Sequence, residues 1–200
     1  MDLPTFDREN QLMQEGYQVI AGVDEAGCGA LAGPVVAGAA VLSQSKLWDG
    51  IRDSKLLSPL QRERMYKYIV LEAKSWAVGQ STVEEIQKIG IRHATFLAMQ
   101  RALESLPSLD FILVDAWHLP GILTPQQGII HGDRSVFSIA AGSILAKVTR
   151  DRLMCDYAQE FPSYGFEIHK GYGTTLHRKN LQRFGPCPIH RLGWKGINKE

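Results

Sequence analysis

Four acidic side chains stand where apolar runs give out. Asp24 and Glu25 stand in VIAGVDEAG, Asp115 in FILVDAW, and Asp133 ends GIIHGD. A carboxylate directly after a buried run is costly unless it is paired, hydrogen-bonded or bound to a cation. Successive strand residues face opposite sides, so adjacent Asp24 and Glu25 share one site only if the backbone turns, and Gly27 and Gly29 can supply that turn. An oxygen-only ligand set without suitable His or Cys points to magnesium or manganese rather than zinc. Two such ions about 4 Å apart suit phosphodiester hydrolysis, one activating the attacking water and the other stabilising the leaving oxygen. Any one of these acids alone is better read as a helix cap or a solvated strand end; the four together slightly favour a shared site.

Gly27-Cys28-Gly29 follows the first two carboxylates at once, and glycines there let backbone amides and carbonyls approach a ligand such as a sugar hydroxyl. Further on, YGFEIHKGYGTTLHRKN (164–180) alternates glycine, aromatic and basic residues. Tyr172, between two glycines, is expected on an exposed loop, where its ring can stack on a nucleotide while Lys170, Arg178 and Lys179 meet phosphates. Lys147, Arg150 and Arg152 face a nucleic-acid backbone or pair with Asp151 and Asp156 on a solvated helix face. His169 and His177 are expected at the surface or as caps, because no third ligand stands at zinc spacing. Cys28, Cys155 and Cys187 form neither a CxxC nor a paired framework, which fits a reducing cytoplasm.

The elements that position these residues follow from the apolar pattern. Residues 17–23 and 35–42 are expected strands paired as a hairpin, with further strands at 76–81, 111–114 and 128–130. A helix is expected over 59–73 with Ser58 as its N-cap, a short one after the TVEE spacing at Thr82, one over 92–105, and a long one from Ser135 to 161. Small residues in that last helix (Ala140, Ala141, Gly142, Ser143, Ala146) would let it lie close to a sheet. Hairpin strands followed by alternating helices and strands indicate an α/β layer fold with a mixed sheet. The 200 residues suit a single domain, and 44% apolar with 22% charged residues excludes a disordered chain. No stretch is long and apolar enough for a membrane span, and the acidic N-terminus does not resemble a secretory leader. The formal charge of +1 hides a segregation: from Arg134 onward there are 11 Lys+Arg against 5 Asp+Glu, and before it 11 against 16. A basic end could meet phosphates while acidic groups upstream hold cations.

Five segments, GVDEAGCGALAGPVVAGAAVL (22–42), DSKLLS (53–58), ILVDAW (112–117), GDRSVFSIAAGSILAKVTRDRLM (132–154) and HKGYGTTLH (169–177), occur together and in order. On these the chain resembles bacterial ribonuclease HII, the type 2 ribonuclease H. The resemblance implies a ribonuclease H-like fold, a mixed central sheet flanked by helices, with a core over about 18–160 and a helical, substrate-binding C-terminal extension over 161–200 of one domain. It implies a cytoplasmic, monomeric endonuclease of ribonucleotide excision repair and DNA replication. Such an enzyme cleaves the RNA strand of RNA–DNA hybrids and incises duplex DNA 5′ of single embedded ribonucleotides, leaving 3′-hydroxyl and 5′-phosphate ends, with Mn2+ or Mg2+. It assigns Asp24, Glu25, Asp115 and Asp133 as the metal-binding catalytic set. It makes Gly27, Cys28 and Gly29 the reader of the ribose 2′-hydroxyl, Tyr172 the sensor of an RNA-to-DNA junction, and Lys55, Lys147, Arg150 and Arg152 backbone contacts. The chain departs from the family at Cys28, where Arg is usual, and at Ala116 and Gly142, small-for-small exchanges of Gly and Ala. The missing guanidinium motivates an alternative, a catalytically weak hybrid-binding module. The related ribonuclease HIII carries an added N-terminal domain, for which 23 residues before Asp24 leave no room.

Overall fold

In the computed structural model, which describes residues 3–194 and 197, the apolar runs become five strands. These are β1 (Ile20–Ala26), β2 (Val35–Val41), β3 (Ser75–Ser81), β4 (Phe111–Asp115) and β5 (Gln126–Ile129). They form one mixed sheet in the order β3-β2-β1-β4-β5. The β1–β2 and β2–β3 pairs are antiparallel, and β1–β4 and β4–β5 are parallel. β1 therefore sits in the centre with Asp24 opposite Gly38 on one side, and β4 runs alongside it so that Asp115 emerges near the same end.

Eight helices are described: α1 (Asp7–Gln14), α2 (Pro59–Glu72), α3 (Val83–Ile89), α4 (Ile91–Glu104), α5 (Gly132–Ser135), α6 (Phe137–Glu160), α7 (Phe166–His169) and α8 (Thr175–Phe184). Capping boxes start α2 (Ser58 with Gln61) and α3 (Thr82 with Glu85), each satisfying two backbone donors that a helix start leaves unpaired. One face of the sheet buries Ala21, Val23, Ala37 and Ala39 against Ala98, Met99 and Ala102 of α4. The other buries Ala40 against Ala140, Ala141, Ile144 and Leu145 of α6, with Ile69 of α2 behind. α6 lies almost on the strands: a methyl group added at Gly38 would come within 2.4 Å of the Gly142 carbonyl oxygen, and one at Gly142 within 2.5 Å of that of Gly38. The small-residue run thus does the packing its composition suggests.

Three expectations change. β1 continues through Asp24 and Glu25 to Ala26 rather than stopping before them, because its ladder with β2 extends to the Ala26–Val36 pair. The long helix does not begin at Ser135. Val136 is extended (φ −125°, ψ 121°), separating α5 from α6, and its side chain is buried with Leu12, Leu113 and Ile139. The core also begins earlier than residue 18, since Leu12 of α1 is fully buried and Glu9 accepts hydrogen bonds from Ser138 N (3.1 Å) and Oγ (2.8 Å) at the start of α6. Beyond α6 the chain packs back on itself, with Met154, Tyr164, Phe166 and Ile189 gathered around Ala32. The last positions of the expected extension, 195–196 and 198–200, lie outside the described residues. Among the described residues no helix is long and apolar enough to cross a membrane.

Candidate active site

Asp24, Asp115 and Asp133 converge: each offers a carboxylate oxygen, and the three lie within 4.8 Å of one another. Three different devices bring them there. Asp24 is inside β1 on the face covered by α6, where Gly142 leaves room for the strand backbone and Ser143 hydrogen-bonds the carboxylate. Asp115 is the last residue of β4, and the chain turns sharply after it through a left-handed Ala116 (φ 58°). Asp133 is not at a strand end. β5 stops at Ile129, and a left-handed His131 (φ 57°) swings the chain so that Gly132 N donates to Asp115 Oδ1 at 2.8 Å and α5 presents Asp133.

Glu25 falls outside this trio. No turn separates it from Asp24, so strand alternation sends it toward the α4 face, and its amide donates to Asp24 Oδ1 at 2.6 Å. It stays electrically joined to the cluster. Burial raises its pKa, the Cys28 thiol opposes that by hydrogen bonding, and the Asp115 charge adds to it. Burial first, then the charges of Glu25 and Asp115, push the Asp24 carboxyl well above the usual carboxylate range. Burial and then Asp133 raise Asp115. The cation paired with the cluster is Lys55, 71% exposed, with Nζ 3.4 Å from Asp133 Oδ2; burial lowers its pKa, but Asp133, Asp53 and Asp24 outweigh that and raise it.

These residues fit a divalent cation. Crowded, desolvated carboxylates with one exposed ammonium carry more negative charge than the site neutralises, and Glu25 Oε2 is buried without a hydrogen-bond partner. The donors are all oxygens, the chemistry that selects magnesium or manganese.

The glycine loop and Tyr172 are brought side by side. Ala30 bridges Tyr172, and Leu31 N donates to Gly171 O at 2.8 Å. Gly27 has φ 98°, and a methyl group there would come within 2.1 Å of Arg150 Nε, so only glycine fits; at Gly29 it would meet nothing within 4 Å, leaving an open approach. Among the described residues the amides of Cys28 and Gly29 make no hydrogen bond. Cys28 turns inward, with Sγ 3.0 Å from Thr95 Oγ1 on α4, so it does not occupy the outward direction an arginine would need. Tyr172 is half-buried rather than fully exposed, its ring centroid 5.3 Å from Lys147 Nζ and 5.2 Å from Arg150 Cζ.

Of the expected backbone contacts, Arg150 must be corrected. It is 0% exposed, and its guanidinium donates to the carbonyls of Pro34 (2.9 Å), Lys170 (2.9 Å) and Ala32 (3.0 Å), leaving it no reach to a phosphate. It is a positioning residue for the loop. Lys147 is ion-paired with Asp151 at 2.7 Å, and Arg152 is exposed, paired with Glu63 and set over the Tyr66 ring. His169 and His177 are buried and stacked at 4.2 Å, not surface residues. Sequence reasoning missed Arg191 altogether. It is buried and donates to the carbonyls of Cys28, Ala30, Gly33 and Pro34, closing the loop from behind. Asp53 was missed as well: it is 1% exposed, caps the Ser54–Leu56 turn through Lys55 N (2.9 Å) and accepts from Arg134 Nε (3.3 Å).

Comparison with known proteins decides the family. A profile described as Ribonuclease HII matches residues 21–197. The chain belongs to the ribonuclease HII family. Ribonuclease HII of Caldicellulosiruptor bescii is 46% identical over 190 residues, covering 94% of this chain and 92% of its own length. Ribonuclease HII of Chloroflexus aurantiacus is 49% identical over 201 residues, covering 98% and 95%. The crystal structure of ribonuclease H2 from Pyrococcus horikoshii OT3 superposes with a TM-score of 0.68 at 26% identity, over 87% of this chain and 92% of that one. The fold is ribonuclease H-like and the protein is an endonuclease, a hydrolase with a buried acidic cluster; ribonuclease HII enzymes depend on divalent metal.

Proposed function

We propose that this ribonuclease HII cleaves the RNA strand of RNA–DNA hybrids and nicks duplex DNA on the 5′ side of a single embedded ribonucleotide, leaving 3′-hydroxyl and 5′-phosphate ends. The observation that carries the reading is the convergence of Asp24, Asp115 and Asp133 beside a loop whose Cys28 and Gly29 amides are free to donate. Mn2+ or Mg2+ held by the three aspartates, with Glu25 adjoining, would supply charge neutralisation at the scissile phosphate and an activated water. Water adds to phosphorus, the P–O3′ bond breaks, and the 3′ oxygen leaves with a proton.

The chain's own groups do the positioning. Lys55, tethered to Asp133 and exposed, offers its ammonium to a phosphate oxygen. The amides of 28 and 29 suit a ribose 2′-hydroxyl, the group that separates RNA from DNA, and because backbone atoms do the reading it survives the exchange of Arg for Cys28. Tyr172, held against that loop by the Ala30 bridge, presents a ring to the neighbouring sugar. Lys147 and Arg152 flank the same groove and suit the backbone beyond.

A duplex DNA with one ribonucleotide, incubated with Mn2+ and with Mg2+, is expected to be nicked 5′ of the ribonucleotide. Asp115→Asn is expected to abolish the nick and weaken Mn2+ binding measured by calorimetry, with hybrid binding largely kept. Undiminished turnover in Asp115→Asn would remove that carboxylate from the site; binding of hybrid by the parent with no product under either ion would leave a binding protein instead.

A further inference from the structure

A cavity of about 580 Å³ opens between the 53–56 turn that carries Lys55 and the 131–135 turn that carries Asp133. Nothing in the proposed chemistry uses it. Arg52 lines it, and its Nε is buried with no hydrogen-bond partner among the described residues. An unsatisfied buried donor costs about 1–3 kcal/mol, so one kept at the rim of an active site calls for a ligand. Arg134, 55% exposed, lines the same cavity and spends only Nε on Asp53. Asp53 itself is 1% exposed and already satisfied, so the face turned to the opening is cationic. Exposed Leu56 and Ile130 add apolar surface next to those two guanidiniums.

Two forked cations beside an apolar patch match one chemical unit, a phosphodiester with its sugar and base. Position says whose. Arg134 directly follows Asp133 and Arg52 stands three residues before Lys55, so their Cα atoms lie within roughly 4 Å and 11 Å of those of the two catalytic-site residues. Arg134 Nε on Asp53, Asp53 under Lys55 N and Lys55 Nζ on Asp133 tie the cavity wall to the carboxylate cluster.

We propose that this cavity is a subsite for a nucleotide of the cleaved strand flanking the scissile phosphodiester, with Arg52 and Arg134 on its phosphate and Leu56 and Ile130 against its sugar and base. The inference rests on the hybrid-cleaving reading and names a further specificity-determining contact for it.

The test is Arg52→Gln, which leaves the Arg134–Asp53 pair in place, on hybrids whose RNA strand is shortened stepwise from either end. On full-length hybrid KM rises about tenfold with kcat little changed, the loss expected of one charge-assisted contact. The slope of log KM against log salt falls by about 1, and Arg52→Lys restores it. The difference between parent and Arg52→Gln vanishes once shortening from one end, and only one, empties the cavity. An unchanged salt slope, or a loss that persists equally on every shortened strand, overturns the subsite while leaving the cleavage reading intact. A parent that cuts no hybrid overturns both.

Discussion

Ala116 shows how much a single methyl group can matter at this site. Exchange of Ala for the usual Gly looks neutral by size, yet the residue sits at φ 58°, where an L side chain crowds the following carbonyl at a cost of about 1–2 kcal/mol. The left-handed turn ends the strand at Asp115, with Ala116 N donating to Ile129 O at 2.9 Å. Ala116→Gly relieves the crowding but frees the unfolded chain by about 0.4–1 kcal/mol. The expected net is a stabilisation of up to about 1.6 kcal/mol, read as a higher urea midpoint at unchanged m-value. Cys28 is the opposite kind of exchange. Its thiol, pushed up to about 12 by burial and then by the Glu25 charge, stays protonated and packs under α4, so what the chain loses there is reach rather than shape.

Three imidazoles, His169 of α7, His177 of α8 and His190 beyond it, are grouped by stacking and hydrogen bonding, and their partners set their protonation. His177 Nδ1 faces the Tyr172 carbonyl at 2.9 Å and must donate, so its Nε2 accepts from His190 Nε2 at 3.1 Å. His190 Nδ1 in turn accepts from Cys187 N at 2.9 Å, and His169 donates to Tyr164 O (2.8 Å) while accepting from Gly171 N (3.2 Å). Each ring is neutral, with one donor and one acceptor; an added proton sets donor against donor. Burial lowers all three, His177 to about 4. A base whose folded pKa is depressed binds protons more weakly than in the unfolded chain. Its contribution is therefore present above about pH 6.5 and is lost as the pH falls toward 4. The metal-free carboxylate cluster works in the other sense, since raised carboxyl pKa values favour the fold at low pH. Comparison with His177→Asn separates the two. The parent's advantage in urea midpoint is expected to shrink between pH 7 and pH 5, and a constant difference would show that His177 does not titrate with folding. The Tyr172 carbonyl hangs on this group, so the backbone that carries its ring depends on it.

Two buried guanidiniums join the halves of the molecule. Arg150 from α6 and Arg191 from the C-terminal segment bind carbonyls of the 27–34 loop from two sides, and no carboxylate pairs with either among the described residues. Burial and then the Arg150 charge pull Arg191 down to about 9, still above neutral pH, and burial lowers Arg150 as well; carbonyls and one aromatic ring each are their partners. Arg191→Met leaves several buried carbonyls unbonded, and a loss of about 3–5 kcal/mol in urea-derived stability is expected. Arg191→Lys is not expected to restore it, because an ammonium cannot bridge four acceptors spread along the loop. A loss below about 1 kcal/mol in either variant would mean the loop holds its own shape.

Local pattern alone placed strands at 35–42 and 111–114, each within a residue of β2 and β4, along with the capped starts of α2 and α3 and the close-packing face of α6, because each rests on periodicity or on contacts within a few residues. The acids were legible as a set because a carboxylate after a buried run is costly enough to need a reason. Which of them meet was decided only in three dimensions: strand alternation carries Glu25 to the other face, and a left-handed His131 delivers Asp133 from a turn. The roles of Arg150 and Arg191 were hidden for the same reason. All but one of their partners lie more than a hundred residues away along the chain, and a basic side chain carries no mark of whether it will meet solvent or a ring of carbonyls. Local propensity is written in neighbouring residues, whereas burial of a charge is a property of everything that folds around it.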